Sequence, residues 1–355
     1  MSHPVLSDVR KIAVLRPNAV GDFMFCLPAL HALKHSYPEA ELVYLGLDWH
    51  GQFLLNRPGP VDRVVVLPPI SGVTANADAQ CDEGPAEEFF DAMRRERFDL
   101  ALQMYGGGRF ANPLVSRLEA RLSVGMRAPD AAPLDRCIPY GGVMNRRLQL
   151  LEVAALAGAK AWPMRRQLQA TCADRHLAAQ CVPAAPGQRL VVVQPGAADS
   201  RRRWSAARFA AVADALVEEG ALVAINGSAA EAAVVAEVIQ TMRYPAVDLS
   251  GKASLNALCG LLERAALVVS NDTGPLHMAL ALDRPCVGIY WFTNLIEAAP
   301  LCQHRHRAAF SSRLACPVCG AENTARRCEH DASFVDDVTL EEVTALAIEM
   351  FRMSR

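Results

Sequence analysis

The chain has 355 residues, 38 acidic against 36 basic side chains, a formal net charge of −2 and 52% hydrophobic residues. That length is too great for one core and suits two domains, each with enough apolar residues for its own interior. The near-neutral balance argues against a general nucleic-acid binder, which needs a basic field, and the apolar run at 23–33, broken by Pro28 and His31, is far too short for a membrane span.

Nothing before Lys11 has the apolar core of a secretion signal. The expected location is therefore the cytoplasm, where the eleven cysteines stay reduced. In the first half, strand-like runs at 12–16, 42–45, 64–67 and 100–103 alternate with helix-like stretches at 21–36, 49–56 and 87–97. A further apolar-periodic helix covers 148–156. Such alternation predicts a parallel sheet with helices on both faces. Residues 157–188 are rich in Ala, Pro and Gly with weak periodicity, and read as a connector.

From residue 190 the alternation resumes, with strands at 190–194, 222–225, 246–249, 267–270 and 286–290. Helices at 206–219, 231–240, 255–264 and 276–281 separate them, and a last helix at 340–351 opens with a Thr339/Glu342 capping spacing. The predicted class is α/β, two doubly wound Rossmann-like domains facing a cleft. The expected boundaries are 1–165 for the first domain, 166–188 for the linker, 189–335 for the second domain and 336–355 for a C-terminal helix. Ligands in such sheets bind beyond the carboxyl ends of the strands.

The first motif, Leu15-Arg16-Pro17-Asn18-Ala19-Val20-Gly21-Asp22, runs from a strand through a turn into a helix. Gly21 lets backbone approach a ligand, and Asp22 falls in the first helical turn, where negative charge is favoured. From these residues alone, a capping carboxylate without chemistry is an equal reading. The G-x-G-x-x-G spacing is absent, which argues against a nicotinamide or flavin dehydrogenase. Pro28 is expected to bend the following helix near Met24. Further on, residues 69–84 form an unusually long, Ala- and Asp-rich loop, and Tyr105-Gly106-Gly107-Gly108-Arg109 reads equally as the lining of a binding site or as a structural turn. Trp49, His50 and Trp291 read as packing.

In the second half, Gln194-Pro195-Gly196-Ala197 leads to Arg201-Arg202-Arg203-Trp204. A glycine turn beside arginines suits phosphate, because a guanidinium forks to paired oxygens and stays charged. Ser254 is placed as the N-cap of its helix. No second glycine completes a Walker A loop around Gly251-Lys252, which disfavours an NTPase. Then comes Ser270-Asn271-Asp272-Thr273-Gly274-Pro275-Leu276-His277, a strand end with a helix beginning at Thr273 and Gly274. Pro275 suits the first turn, and free N–H groups there form an anion site. Asp272 beside it fits a ligand that also presents hydroxyls, as a sugar nucleotide does.

The late segment Cys316-Pro317-Val318-Cys319, then Cys328 and His330, carries the ligand types of a structural zinc site. Against this stand the single residue between the second pair and the shortness of the loop. The expectation is reduced thiols, with no metal and no cofactor.

Together, LRPNAVGD with LPAL after it, QPGA…RRRW, DLSGKASL and SNDTGPLH resemble the signatures of family 9 glycosyltransferases, the heptosyltransferase family of bacterial lipopolysaccharide assembly. The likeness covers roughly residues 11–290, with the motifs in family order. It implies a GT-B fold and an inverting, metal-independent transfer from a nucleotide-sugar, typically ADP-heptose, to a glycan or lipid-linked saccharide. By position, Asp22 would be the general base. Gly21, Gly196, Arg202, Arg203, Asp272, Thr273, Gly274 and His277 would serve the donor. Arg202 stands where the family usually has lysine, exchanging a compact ammonium for a flat fork. The likeness also implies peripheral association with the cytoplasmic face of the inner membrane. The competing readings are a nucleotide-sugar epimerase on the same fold and a non-catalytic nucleotide-sugar-binding protein.

Overall fold

The computed structural model describes residues 6–160, 163–183, 187–302, 304–324 and 326–354. Its contacts divide the chain into two units, Met1–Gln167 and Leu168–Arg355.

In the first unit the order is β1 Lys11–Leu15, α1 Val20–Ser36, β2 Glu41–Gly46, α2 Asp48–Leu54, β3 Arg63–Val66, α3 Glu83–Glu96, β4 Leu100–Gln103, α4 Ala111–Ser116, β5 Leu122–Arg127, β6 Arg136–Pro139 and α5 Arg146–Leu156. The strands pair in parallel as β3-β2-β1-β4-β5-β6. A central parallel strand is covered on both faces, which is why β1 reads as the unbroken run Ile12-Ala13-Val14-Leu15, every side chain buried. One face packs Leu15, Val43, Phe89, Phe90 and Leu114 into a core. Helix α1 buries Phe23 through Leu30 and packs along α5. It continues through Pro28 to Ser36 as one helix.

The second unit opens with α6 Cys172–Cys181. It continues with β7 Arg189–Gln194, α7 Ala206–Glu218, β8 Ala221–Ile225, α8 Ala232–Thr241, β9 Val247–Asp248, α9 Leu255–Arg264, β10 Leu267–Asn271, α10 Gly274–Ala281, β11 Cys286–Trp291, α11 Phe292–Ala298, β12 His306–Ser311 and α12 Leu340–Met353. The sheet order is β12-β11-β10-β7-β8-β9, all parallel, so the winding of the first unit is repeated. In each sheet the strand order reverses once, between β1 and β4 and between β7 and β10. These are the topological switch points, where the loops leaving two neighbouring strands diverge and open a crevice.

Two segments differ from the sequence reading. The expected linker, 166–188, carries α6, whose Thr171 and Asp174 close a capping box on each other's backbone N–H at 3.1 and 2.8 Å. Capping that strong starts a helix despite weak periodicity, and α6 lies against α9 in the second unit. The C-terminal segment is likewise part of that unit. Thr339 caps α12 through the Glu342 N–H at 3.2 Å, and Val343, Ala347, Met350 and Phe351 join the core with Val191, Trp204 and Phe209.

The α6–α9 contact is close because Gly260 has no side chain: a Cβ there would run into the Asp174 carbonyl and the Ala178 methyl. Gly260→Ala is expected to destabilise by about 1–3 kcal/mol through overpacking, despite alanine's better helix propensity. The control Gly59→Ala, where a Cβ meets nothing within 4 Å, is expected to be near neutral. Thermal melts of the two variants check this. Equal melting temperatures would mean α6 is not docked as described.

Candidate functional site

At the first switch point, Arg16 follows directly on β1 and is only 5% exposed. Its Nε donates to the Asp22 carbonyl at 2.9 Å, Nη2 to Asp22 Oδ1 at 3.0 Å, and Nη1 to the Met104 carbonyl just beyond β4. Tyr44 Oη donates to the Arg16 carbonyl at 2.7 Å and fixes the backbone at that point. One guanidinium therefore ties the ends of β1 and β4 to the first turn of α1. Asp22, with Gly21 in the same turn, keeps its side chain 39% exposed. Its Oδ2 takes no hydrogen bond from the described residues. A carboxylate fixed through one oxygen and accessible through the other is suited to accept a proton. Asn18 Oδ1 is buried in the same turn without a partner among the described residues, as expected of a group that a ligand completes. Cys26, the nearest thiol, is pushed up to about 12 by burial and is inert as a nucleophile.

The Tyr105–Arg109 turn behaves as structure. Gln103 Nε2 donates to the Tyr105 and Gly106 carbonyls while its Oε1 accepts from Met126 N at 2.9 Å. Gly108 has φ +88° and a Cβ there would meet Asn112 at 2.5 Å, so only glycine fits. The 69–84 loop borders a cavity of 730 Å³ with Phe90, Phe110 and Arg117 on its other side. Trp49 stacks on buried His50 at 3.7 Å between ring centres, the packing role expected of both.

At the second switch point the polarity is inverted. Asp272, leaving β10, is 1% exposed. Its Oδ1 meets His277 Nε2 at 2.9 Å and its Oδ2 accepts from Arg202 Nη1 at 3.0 Å, while Nη1 also reaches the Asp272 carbonyl at 3.1 Å. Burial by itself would raise this carboxyl, but the hydrogen bond and charge of His277, with Arg202 beside it, outweigh burial and hold it below the usual carboxylate range. An ionised carboxylate only accepts, so His277 Nε2 carries the proton. From sequence Asp272 was expected to face sugar hydroxyls. In the structure it faces Arg202 and His277.

The remaining contacts fix the loop that carries Arg202. Asn271 Nδ2 donates to the Pro195 carbonyl at 2.7 Å and its Oδ1 accepts from Trp204 N at 3.2 Å, so β10 grips both ends of the arginine loop. Trp204 Nε1 donates to Val338 at 2.9 Å. Arg203 Nε donates to Ala197 at 2.7 Å and braces the Gly196 turn. Arg201 is engaged by Asp199 at 2.7 Å and lies over the Trp291 ring. Of the three arginines, Arg202 alone reaches the end of β10, and its Nε is buried without a hydrogen-bond partner among the described residues. Gly196 is needed because a Cβ would collide with Glu231, a residue not singled out from sequence. Thr273 makes no side-chain cap on α10 and Pro275 occupies the first turn, so no side-chain oxygen of the N-cap blocks the amides there. Ser254 caps α9 through Ala257 N at 3.1 Å, as expected.

Outside both switch points, Cys316, Cys319, Cys328 and His330 bring their ligand atoms within 4.8 Å of one another. From sequence they were expected as reduced thiols without a metal. Imidazole reaches further from its backbone than a thiol, which is how the single residue between Cys328 and His330 still brings both to one point.

The model of glycosyltransferase family 9 (heptosyltransferase) matches residues 87–326. Lipopolysaccharide heptosyltransferase 2 of Salmonella typhimurium is 26% identical over 303 residues, 79% of this chain and 82% of that protein. Among solved structures, a family 9 glycosyl transferase from Veillonella parvula is similar with a TM-score of 0.81 at 18% identity, covering 99% of this chain and 100% of that one. An E. coli ADP-heptose lipopolysaccharide heptosyltransferase II is similar at 0.74 and 18% identity, covering 97% and 99%. At such identities the likeness is one of fold, the GT-B class expected from sequence.

Removing the buried charge should be costly. Asp272→Asn is expected to destabilise by about 3–5 kcal/mol at pH 7, because Arg202 loses its anionic partner. The Asp272 pKa is depressed on folding, so its contribution is full above the unfolded value of about 3.9 and is lost as pH falls through the folded value. Urea unfolding should show the wild-type advantage undiminished from pH 7 to 5 and shrinking below about pH 4. An advantage independent of pH would contradict the ionised assignment.

Proposed function

We propose that this chain, which belongs to glycosyltransferase family 9, transfers a heptose from ADP-heptose to a lipopolysaccharide-core or other lipid-linked saccharide, inverting the anomeric carbon without a catalytic metal. The observation that carries this reading is the pairing of opposite polarities at the two switch points. One presents a positioned carboxylate, Asp22. The other presents a positioned cation, Arg202, beside the start of α10.

An acceptor hydroxyl attacks the anomeric carbon from the face opposite the diphosphate. The new C–O bond forms, the bond to the phosphate oxygen breaks, and the hydroxyl proton passes to the Asp22 carboxylate. Arg16 keeps that carboxylate aimed, leaving Oδ2 for the proton. Positioned general-base catalysis contributes about 10²–10⁴-fold. The departing diphosphate takes up negative charge, which Arg202, Arg203 and the amides of the Gly196 turn and of Thr273-Gly274 stabilise. These groups carry the leaving-group role that a metal ion fills in other transferases. Asp272 and His277 act one step back, holding Arg202, and Gly21 allows close approach at the first turn of α1.

Heptose as the sugar and ADP as its carrier are supported by the names of the relatives, including the E. coli enzyme. Among the described residues no helix is long and apolar enough to cross a membrane. Contact with a lipid-linked acceptor is accordingly proposed to be peripheral, on the cytoplasmic face. The 69–84 loop and its cavity are proposed to bear on acceptor choice.

Asp22→Asn keeps the size and polarity of the side chain and removes its basicity. It should lower kcat for transfer from ADP-heptose to heptose-deficient lipopolysaccharide by roughly 10²–10⁴-fold. Donor affinity should stay within about threefold, since the change leaves the diphosphate contacts alone. Undiminished kcat would remove Asp22 as the base. Turnover with UDP- or GDP-sugars but not ADP-heptose would overturn the donor assignment.

A further inference from the structure

We propose that Cys316, Cys319, Cys328 and His330 bind one thiophilic metal ion, zinc or iron, in a closed tetrahedral site that fastens the arginine loop of the second unit. The four donor atoms already lie within 4.8 Å of one another. Metal–sulfur bonds of about 2.3 Å and metal–nitrogen bonds of about 2.0–2.1 Å put donors roughly 3.5–3.8 Å apart around a tetrahedral ion. An adjustment of about an ångström or less closes the shell.

The backbone around the thiols supports the assignment. Cys316 N donates to the Ala321 carbonyl at 2.8 Å and Gly320 N to the Cys316 carbonyl at 2.9 Å, which closes a tight turn with both thiols on it. Val318 N points at Cys316 Sγ at 3.4 Å. Gly320, next to Cys319, has φ +73°, where a side chain would be strained. The third thiol is delivered by Asn323, whose Oδ1 accepts from Cys328 N at 3.0 Å. Only Cys316 of the three thiols is buried, so core filling does not account for bringing Cys319, Cys328 and His330 to it.

The segment also has little regular structure of its own around the four donors. Between Ser311 and Leu340 the described residues form no helix or strand, only the isolated bridge Ala315–Glu322. A loop that long inside a compact unit calls for a staple, and four protein donors that leave no open position make a structural metal site rather than a catalytic one. Three thiolates and one imidazole favour zinc or iron over magnesium, calcium or manganese.

The loop's partners show what the ion holds. Asn323 accepts through its carbonyl from Arg201 Nη1 at 3.2 Å. Arg327, next to Cys328, donates to Ser200 Oγ at 2.9 Å and meets Asp199 at 3.6 Å. Phe334 N donates to the Arg201 carbonyl at 2.8 Å. The metal-bearing segment thus buttresses residues 199–201, immediately before Arg202. This positional part rests on the role proposed for Arg202, whereas metal binding does not.

The full chain, purified under reducing conditions from zinc- and iron-supplemented medium, should carry about one equivalent of zinc or iron by inductively coupled plasma mass spectrometry, as a closed four-ligand site requires. The metal-free chain titrated with Co²⁺ should develop thiolate-to-cobalt charge-transfer absorption with the strong d–d bands of tetrahedral geometry. Cys319 is exposed, so Cys319→Ser leaves no core cavity, and it and His330→Ala should each cut occupancy roughly tenfold or more. Cys181→Ser should leave it unchanged. A folded chain without metal and without tetrahedral cobalt bands would overturn the site, as would a disulfide among Cys316, Cys319 and Cys328 in non-reducing peptide maps. Metal removal should also speed amide exchange at 199–204. Unchanged exchange there on removal of the bound metal would overturn the fastening role. None of these readouts requires donor turnover, so failure here is distinct from failure of the proposed reaction.

Discussion

A carboxylate cannot stay ionised in a dry interior without partners, and the second unit is arranged around supplying them to Asp272. Its two oxygens are shared between His277 and Arg202. Such a pair is a weak source of stability, because desolvating both ions offsets most of their attraction. What it provides is position. Arg202 would otherwise be a long, mobile side chain on an irregular loop. With one nitrogen held by both the carboxylate and the carbonyl of Asp272, the guanidinium has one orientation. Asn271, through Pro195 and Trp204, fixes the backbone on either side of it.

The first unit repeats the winding with the charges exchanged. There the buried member is the cation, Arg16, and the member left facing outward is the carboxylate, Asp22. In both units a buried ion of one sign holds an accessible ion of the other, at the place where the strand order reverses and backbone carbonyls and amides diverge. The fold supplies the same crevice twice, and the residues after β1 and β10 decide what each crevice presents. On the proposed reaction, the first crevice presents the base and the second the clamp for the departing diphosphate.

Much of this was legible from sequence. Central strands such as β1 and β10 are covered on both faces and therefore read as continuous apolar runs, and the turns after them stand out as polar interruptions. Edge elements did not read so well. β6, Arg136–Pro139, carries an arginine and a proline, and β12, His306–Ser311, has no β-branched residue. β5 is interrupted by Ser123 and Gly125, and α6 starts from a capping box with little periodicity behind it. Arg16 lies inside the first motif, but nothing in its local sequence marks it as buried. Its burial against Met104, 88 residues away, is a tertiary fact. The same holds for Glu231 against Gly196, and for the convergence of Cys316, Cys319, Cys328 and His330. Spacing along the chain underestimates how far an imidazole reaches across a loop.

On the proposed reaction, the buried carboxylate at the second switch point presents Arg202 to the donor's diphosphate. Calorimetric titration of ADP into the wild-type chain and into Arg202→Ala tests it most directly. A charged hydrogen bond to phosphate is worth about 1.5–3 kcal/mol, so ADP affinity should fall roughly 10- to 150-fold in the variant while adenosine binding stays the same. Equal ADP affinity in the two proteins would contradict the account.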